Sequence, residues 1–68
     1  MKRGSLLRHL RRHGCVLKRE GAAHSLWLNP ATGAVQAVPR HAELPNRLAD
    51  RICRGLSIPQ PGGNETKA

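Results

Sequence analysis

The sequence predicts an α+β fold: a helix, three antiparallel strands and a second helix, with both helices on one face of the sheet. Three observations carry that expectation. Leu6, Leu7 and Leu10 open the chain at helical spacing and Gly14 closes the run. Three short stretches follow, separated by Gly21-Ala22-Ala23 and by Asn29-Pro30-Ala31-Thr32-Gly33. Leu48, Ala49, Ile52, Cys53 and Leu56 then repeat at helical spacing again.

The first helix is expected to start at Leu6 with Ser5 as its cap. Arg8, Arg11 and Arg12 lie mostly off its leucine side, and Gly14 suits a left-handed helix end. His9 and His13 also lie on it. His13, in the last turn, reads as a surface residue complementing the helix dipole.

Residues 15–20 read as the first strand, with Cys15 and Leu17 facing one way and Val16 and Lys18 the other. The second strand spans 24–29. Alternation puts Ser25, Trp27 and Asn29 on one face and His24, Leu26 and Leu28 on the other. Trp27, the only aromatic among Phe, Trp and Tyr, should anchor the core. The Asn-Pro-x-x-Gly turn makes a hairpin with a third strand over 34–38, where Pro39 stops the ladder. Residues 40–43 connect to the second helix, with Pro45 in its first turn. Arg47, Asp50, Arg51 and Arg54 form its wet face, and Ser57-Ile58-Pro59 ends it. Residues 1–58 should form one domain and 59–68 a disordered tail.

A chain of 68 residues has little room for an enclosed active site, so chemistry is expected at a surface or a shallow edge. Twelve Lys and Arg against four acidic residues give a formal net charge of +8. That balance attracts polyanions such as nucleic acid or an acidic protein. A membrane partner is disfavoured, because no apolar run approaches the ~18 residues a span needs. The basic amino terminus lacks a signal peptide's apolar stretch, so a cytoplasmic location is expected. Cys15 and Cys53 show no metal-binding spacing and read as buried, reduced thiols. No cofactor and no metal site is expected.

Glu20, Glu43, Asp50 and Glu65 are scattered. That argues against a two-metal nuclease and a paired-carboxylate hydrolase. No phosphate-cradling glycine loop is evident, and Ser25 points away from its neighbour His24. RNA offers a chemistry that needs less. Its own 2′-hydroxyl attacks the adjacent phosphorus, and the protein supplies a proton carrier and a cation. A histidine is the side chain whose ordinary pKa suits that proton transfer near neutrality. His24, at the mouth of the second strand, is the candidate; an ordinary solvated or capping histidine is the plain alternative. Lys18, Arg19 and Arg40 are candidate cations near the strand ends. As plain alternatives each is a solvated charge or a contact that positions phosphate.

These residues give the chain a resemblance to the HicA-type toxins, small mRNA interferases of bacterial toxin–antitoxin pairs. The likeness covers nearly the whole expected domain. It runs from the Lys2-Arg3 start and leucine-rich helix through Gly14 and Gly21-Ala22-Ala23-His24 to Val38-Pro39-Arg40-His41. It ends with Leu48, Ile52 and Leu56-Ser57-Ile58. The resemblance implies a fold similar to a double-stranded-RNA-binding domain. It also implies metal-independent endoribonuclease activity on mRNA with His24 as the catalytic residue. This chain has Ala23 where serine is common in that family, so a hydroxyl contribution there is absent. His41 is expected to be structural or to position RNA. The implied partner is a HicB-type antitoxin, for which Leu26 and Leu28 on the open face are the candidate contacts. A non-catalytic RNA-binding module of the same fold is the alternative. A DNA-binding factor fits less well, because no helix-turn-helix pair is present.

Overall fold

The computed structural model describes residues 1–61 of the chain. Its order is α1 (Arg3–Arg12), β1 (Val16–Glu20), β2 (His24–Asn29), β3 (Ala34–Pro39) and α2 (Asn46–Gly55). The strands form one antiparallel sheet with β2 in the centre. This is the expected helix–strand–strand–strand–helix arrangement. Residues 62–68 of the expected tail lie outside the described residues.

Side chains from both helices and one sheet face share a single core. Leu6 and Leu10 come from α1, Trp27 and Val38 from the sheet, and Ala49, Ile52 and Cys53 from α2. Ser25, Trp27 and Asn29 are buried while His24 is exposed, so β2 has its faces as alternation predicts. Trp27 is 2% exposed, and its loss to alanine should cost about 3–5 kcal/mol. The Arg11 guanidinium lies 5.3 Å from the Trp27 ring centroid, a cation–π contact. Asn29 ties the end of β2 to the end of α2 and to the hairpin turn: its amide donates to the Leu56 carbonyl at 2.6 Å and its side-chain oxygen accepts from the Ala31 N–H at 3.0 Å. The hairpin turn closes with Gly33 at φ +82° and its N–H on the Asn29 carbonyl at 2.7 Å.

Both helices end in the same way. Gly14 is left-handed at φ +86°; its N–H donates to Arg11 and that of Cys15 to Leu10, at 3.0 and 2.9 Å. Those paired bonds satisfy carbonyls that a helix end leaves free. At the end of α2 the same two bonds run from Ser57 to Arg54 and from Ile58 to Cys53. There Ser57 takes the left-handed position, at φ +60°.

Five expectations need correction. Ser5 does not cap α1, which begins at Arg3 with Lys2 at the cap position and no side-chain cap. Residues 1–3 instead lie against the connection before α2. Lys2 bridges to Glu43, Arg3 N–H donates to the Ala42 carbonyl at 2.9 Å, and Leu44 N–H donates to Met1 at 2.8 Å. That long-range pairing replaces a local cap and buries Leu44. Pro45 precedes α2 as its cap residue rather than lying in the first turn. Pro39 closes β3 from inside, opposite His24. A chain-end position costs proline no ladder bond it could have made.

The fourth concerns β1. Cys15 is buried ahead of the strand, but Leu17 is 49% exposed and Val16 47%. Leu17 pairs with Trp27 and so shares its face, yet it stands on an edge strand beyond the core. Leu26 and Leu28, expected to be exposed, are half-buried. Their cross-strand neighbours cover them: Arg19 and Ala37 flank Leu26, Val16 and Val35 flank Leu28.

Candidate functional site

The open face of the sheet narrows to a shallow depression of about 340 Å³ at the β1–β2 end. It is lined by Arg19, Gly21, Ala22, Ala23, His24 and Leu26. Local chemistry builds this place. Gly21 N–H donates to the His24 carbonyl at 2.8 Å, closing the turn that presents the imidazole. A Cβ on Gly21 would lie 2.9 Å from that same carbonyl oxygen, so the turn excludes any larger residue at rest.

A register shift places the neighbouring charges. Leu17 pairs with Trp27 but Arg19 pairs with Leu26, leaving Lys18 as the extra residue of a bulge. Beyond the bulge every side chain changes face. Arg19 thereby joins Leu26 and the depression on the open face. Glu20 goes to the other face, opposite Ser25.

There Glu20 becomes the hub of a polar network. Ser25 Oγ donates to Glu20 Oε1 at 3.0 Å and accepts from Arg3 Nη2 at 2.8 Å. Arg3 Nε donates to the Pro39 carbonyl at 2.8 Å. Arg40 Nη1 forms an ion pair with Glu20 Oε2 and donates to the Gly21 carbonyl at 3.1 Å. The Arg40 backbone N–H reaches the Ala23 carbonyl at 3.3 Å. The turn before His24 is thus held from α1, from β1 and from the end of β3.

The expected site residues therefore divide. His24 and Arg19 come together at the depression, with half-buried Leu26 as its apolar wall. Arg40 is engaged with Glu20 and the turn rather than standing free. Lys18 is exposed at the bulge and His41 is exposed beyond β3; neither lines the depression. Leu28 lies further along the open face, opposite Val16. Arg3 and Glu20 were missed by residue-level reading. The available signal was a carboxylate and a hydroxyl five positions apart across a tight hairpin turn, which a bulge can bring face to face.

His24 is the one imidazole of the lining, and Arg19 brings a guanidinium to the same depression. The cysteines offer no nucleophile. Burial raises the Cys15 pKa, and burial, Asp50 and Cys15 together push Cys53 up to about 11. Both thiols stay protonated and unreactive at neutral pH. Among the described residues, no three His, Cys, Asp or Glu side chains gather to hold a metal ion, and no helix is long and apolar enough to cross a membrane. Comparison with protein-family models, with curated proteins and with solved structures finds no match to this chain.

Proposed function

We propose that this chain is a metal-independent endoribonuclease acting on mRNA, the toxin of a toxin–antitoxin pair like the HicA-type proteins it resembles. The observation that carries the reading is the exposed His24 beside Arg19 in a depression whose turn is held by the Glu20 network. The fold is then one similar to a double-stranded-RNA-binding domain, working in the cytoplasm with no cofactor. His24 accepts the proton of the RNA 2′-hydroxyl as that oxygen attacks the adjacent phosphorus. The bond from phosphorus to the 5′-oxygen of the next nucleotide breaks, and that oxygen takes up a proton. Arg19 balances charge developing on the phosphate. The +8 chain draws the polyanion in, with Lys18 and His41 as outlying contacts. A HicB-type acidic antitoxin covers the open face over Leu26 and Leu28 and closes access to His24.

Purified protein and His24→Ala, each incubated with RNA, test the reading. The wild type should yield 2′,3′-cyclic phosphate and 5′-hydroxyl ends, and EDTA should leave the reaction intact. His24→Ala should lose at least about 10²-fold in rate, the lower range of general acid–base catalysis, with RNA affinity near wild type. RNA affinity without cleavage in either protein would support the second reading, a non-catalytic RNA-binding module. The shallow depression, with a single proton carrier in its lining, is the observation that favours it.

A further inference from the structure

α1 carries two histidines that the proposed reaction does not use. His9 and His13 stand one turn apart, and the His13 N–H still donates to the His9 carbonyl at 3.2 Å. Their helical spacing is therefore kept although His13 is the C-terminal cap residue. The ring centroids are 4.5 Å apart and the planes are inclined by 58°. Two imidazoles holding one ion at right angles, with metal–nitrogen bonds of about 2.0–2.1 Å, have centroids about 4.5 Å apart. The pair already has that separation.

Two further features suit a cation there. His9 Nε2 lies 2.7 Å from the Pro59 carbonyl. A carbonyl only accepts, so Nε2 is the donor in that bond and Nδ1 is the ring nitrogen left to meet an ion. Metal-binding histidines use this same outer hydrogen bond to fix ring and tautomer. The pair also sits at the end of α1, where helix carbonyls favour positive charge. Both rings are half-buried and so reachable from solvent.

We propose that His9 and His13 form a two-imidazole chelate for a divalent transition ion, with Cu²⁺ bound ahead of Ni²⁺ and Zn²⁺ and water in the other positions. Imidazole suits these ions, a right-angle pair fits the tetragonal preference of Cu²⁺, and affinity rises toward copper along the first row. The site is separate from the depression: α1 packs on the covered face, whereas His24 lines the open one. It holds whether or not the chain cleaves RNA.

The test is titration of the full chain with Cu²⁺, Ni²⁺ and Zn²⁺, followed by calorimetry and, for copper, by electron paramagnetic resonance. Wild type should bind one Cu²⁺ with two imidazole nitrogens. Its thermal midpoint should rise with added metal, because the ion binds the folded chain. His9→Ala and His13→Ala should each weaken binding at least about tenfold, the lower end of what even an outer-shell partner contributes. His24→Ala and His41→Ala should bind as wild type does. Circular dichroism without metal checks that each variant is folded, and His9→Gln or His13→Gln replaces any that is not. Copper binding unchanged in the His9 and His13 variants, or lost in the His24 variant, overturns the proposal. So does copper held by the terminal amine of Met1.

Discussion

Ser25 Oγ stands between two charges, donating to Glu20 at 3.0 Å and accepting from Arg3 at 2.8 Å. The contact exists only because the Lys18 bulge turns Glu20 to the face that Ser25 occupies. One extra residue in an edge strand thus decides which charges support the His24 turn and which lie at the depression on the open face.

Arg19 and Arg40 should accordingly behave as different kinds of residue. Arg19→Ala should weaken RNA binding and reduce the salt slope of the affinity by about one, as loss of a phosphate contact does. Arg40→Ala should leave that slope near wild type. It should lower stability by about 1 kcal/mol or less, since its ion pair is half-exposed and screened. Salt-dependent binding curves and denaturant titrations of both variants make the comparison. Equal salt slopes for the two would contradict the division.

Gly21→Ala should destabilise the fold by about 1–3 kcal/mol, because its Cβ meets the His24 carbonyl oxygen and backbone must shift. Gly4→Ala is the control. Gly4 lies within α1 with open space around it, so that change should stabilise by about 0.5–1 kcal/mol. Chemical denaturation measures both.

Ser57 occupies a left-handed backbone position that costs a residue with a Cβ about 1–2 kcal/mol. Glycine relieves that strain while losing some chain entropy. Ser57→Gly should therefore raise stability by about 0.5–1 kcal/mol, read as a higher denaturation midpoint at unchanged slope. No gain would mean that the serine side chain compensates at φ +60°.

Cys53 should make the fold sensitive to alkali. Its thiol ionises near 9.0 under ordinary conditions but only at about 11 in the folded chain. Between those values the folded state binds more protons than the unfolded one, so stability falls as pH rises. Unfolding midpoints measured from pH 8 upward should decline, and Cys53→Ala should decline less steeply from its own lower starting value.

Leu26→Asp should weaken binding of an acidic antitoxin more than it weakens the isolated fold. Leu26 is half-buried on the open face, and Arg19 across the strand can receive the new carboxylate. In the complex His24 should lose solvent access. A complex in which His24 stays open and RNA is still spared would exclude occlusion as the inhibitory device.

Local patterning was enough to order the elements. The faces of β2 follow from alternation around Trp27, and its bounds at His24 and Asn29 from the turn residues on either side. Gly14 marked a left-handed position because glycine takes it without strain, and the turn that Gly33 closes was marked by its Asn-Pro-x-x-Gly signal. The exposure of His24 at a strand mouth was legible for the same reason. Tertiary structure decided what depends on partners distant in sequence. α1 starts at Arg3 because residues 42–44 meet its first turn, which no local cap signal announces. Leu17 is exposed because edge position, not alternation, sets its burial. Arg40 is paired and Arg19 lines the depression because a bulge switches faces after Lys18. Period-two alternation holds no record of a single inserted residue. Its effect becomes visible only when the partner strand fixes the register.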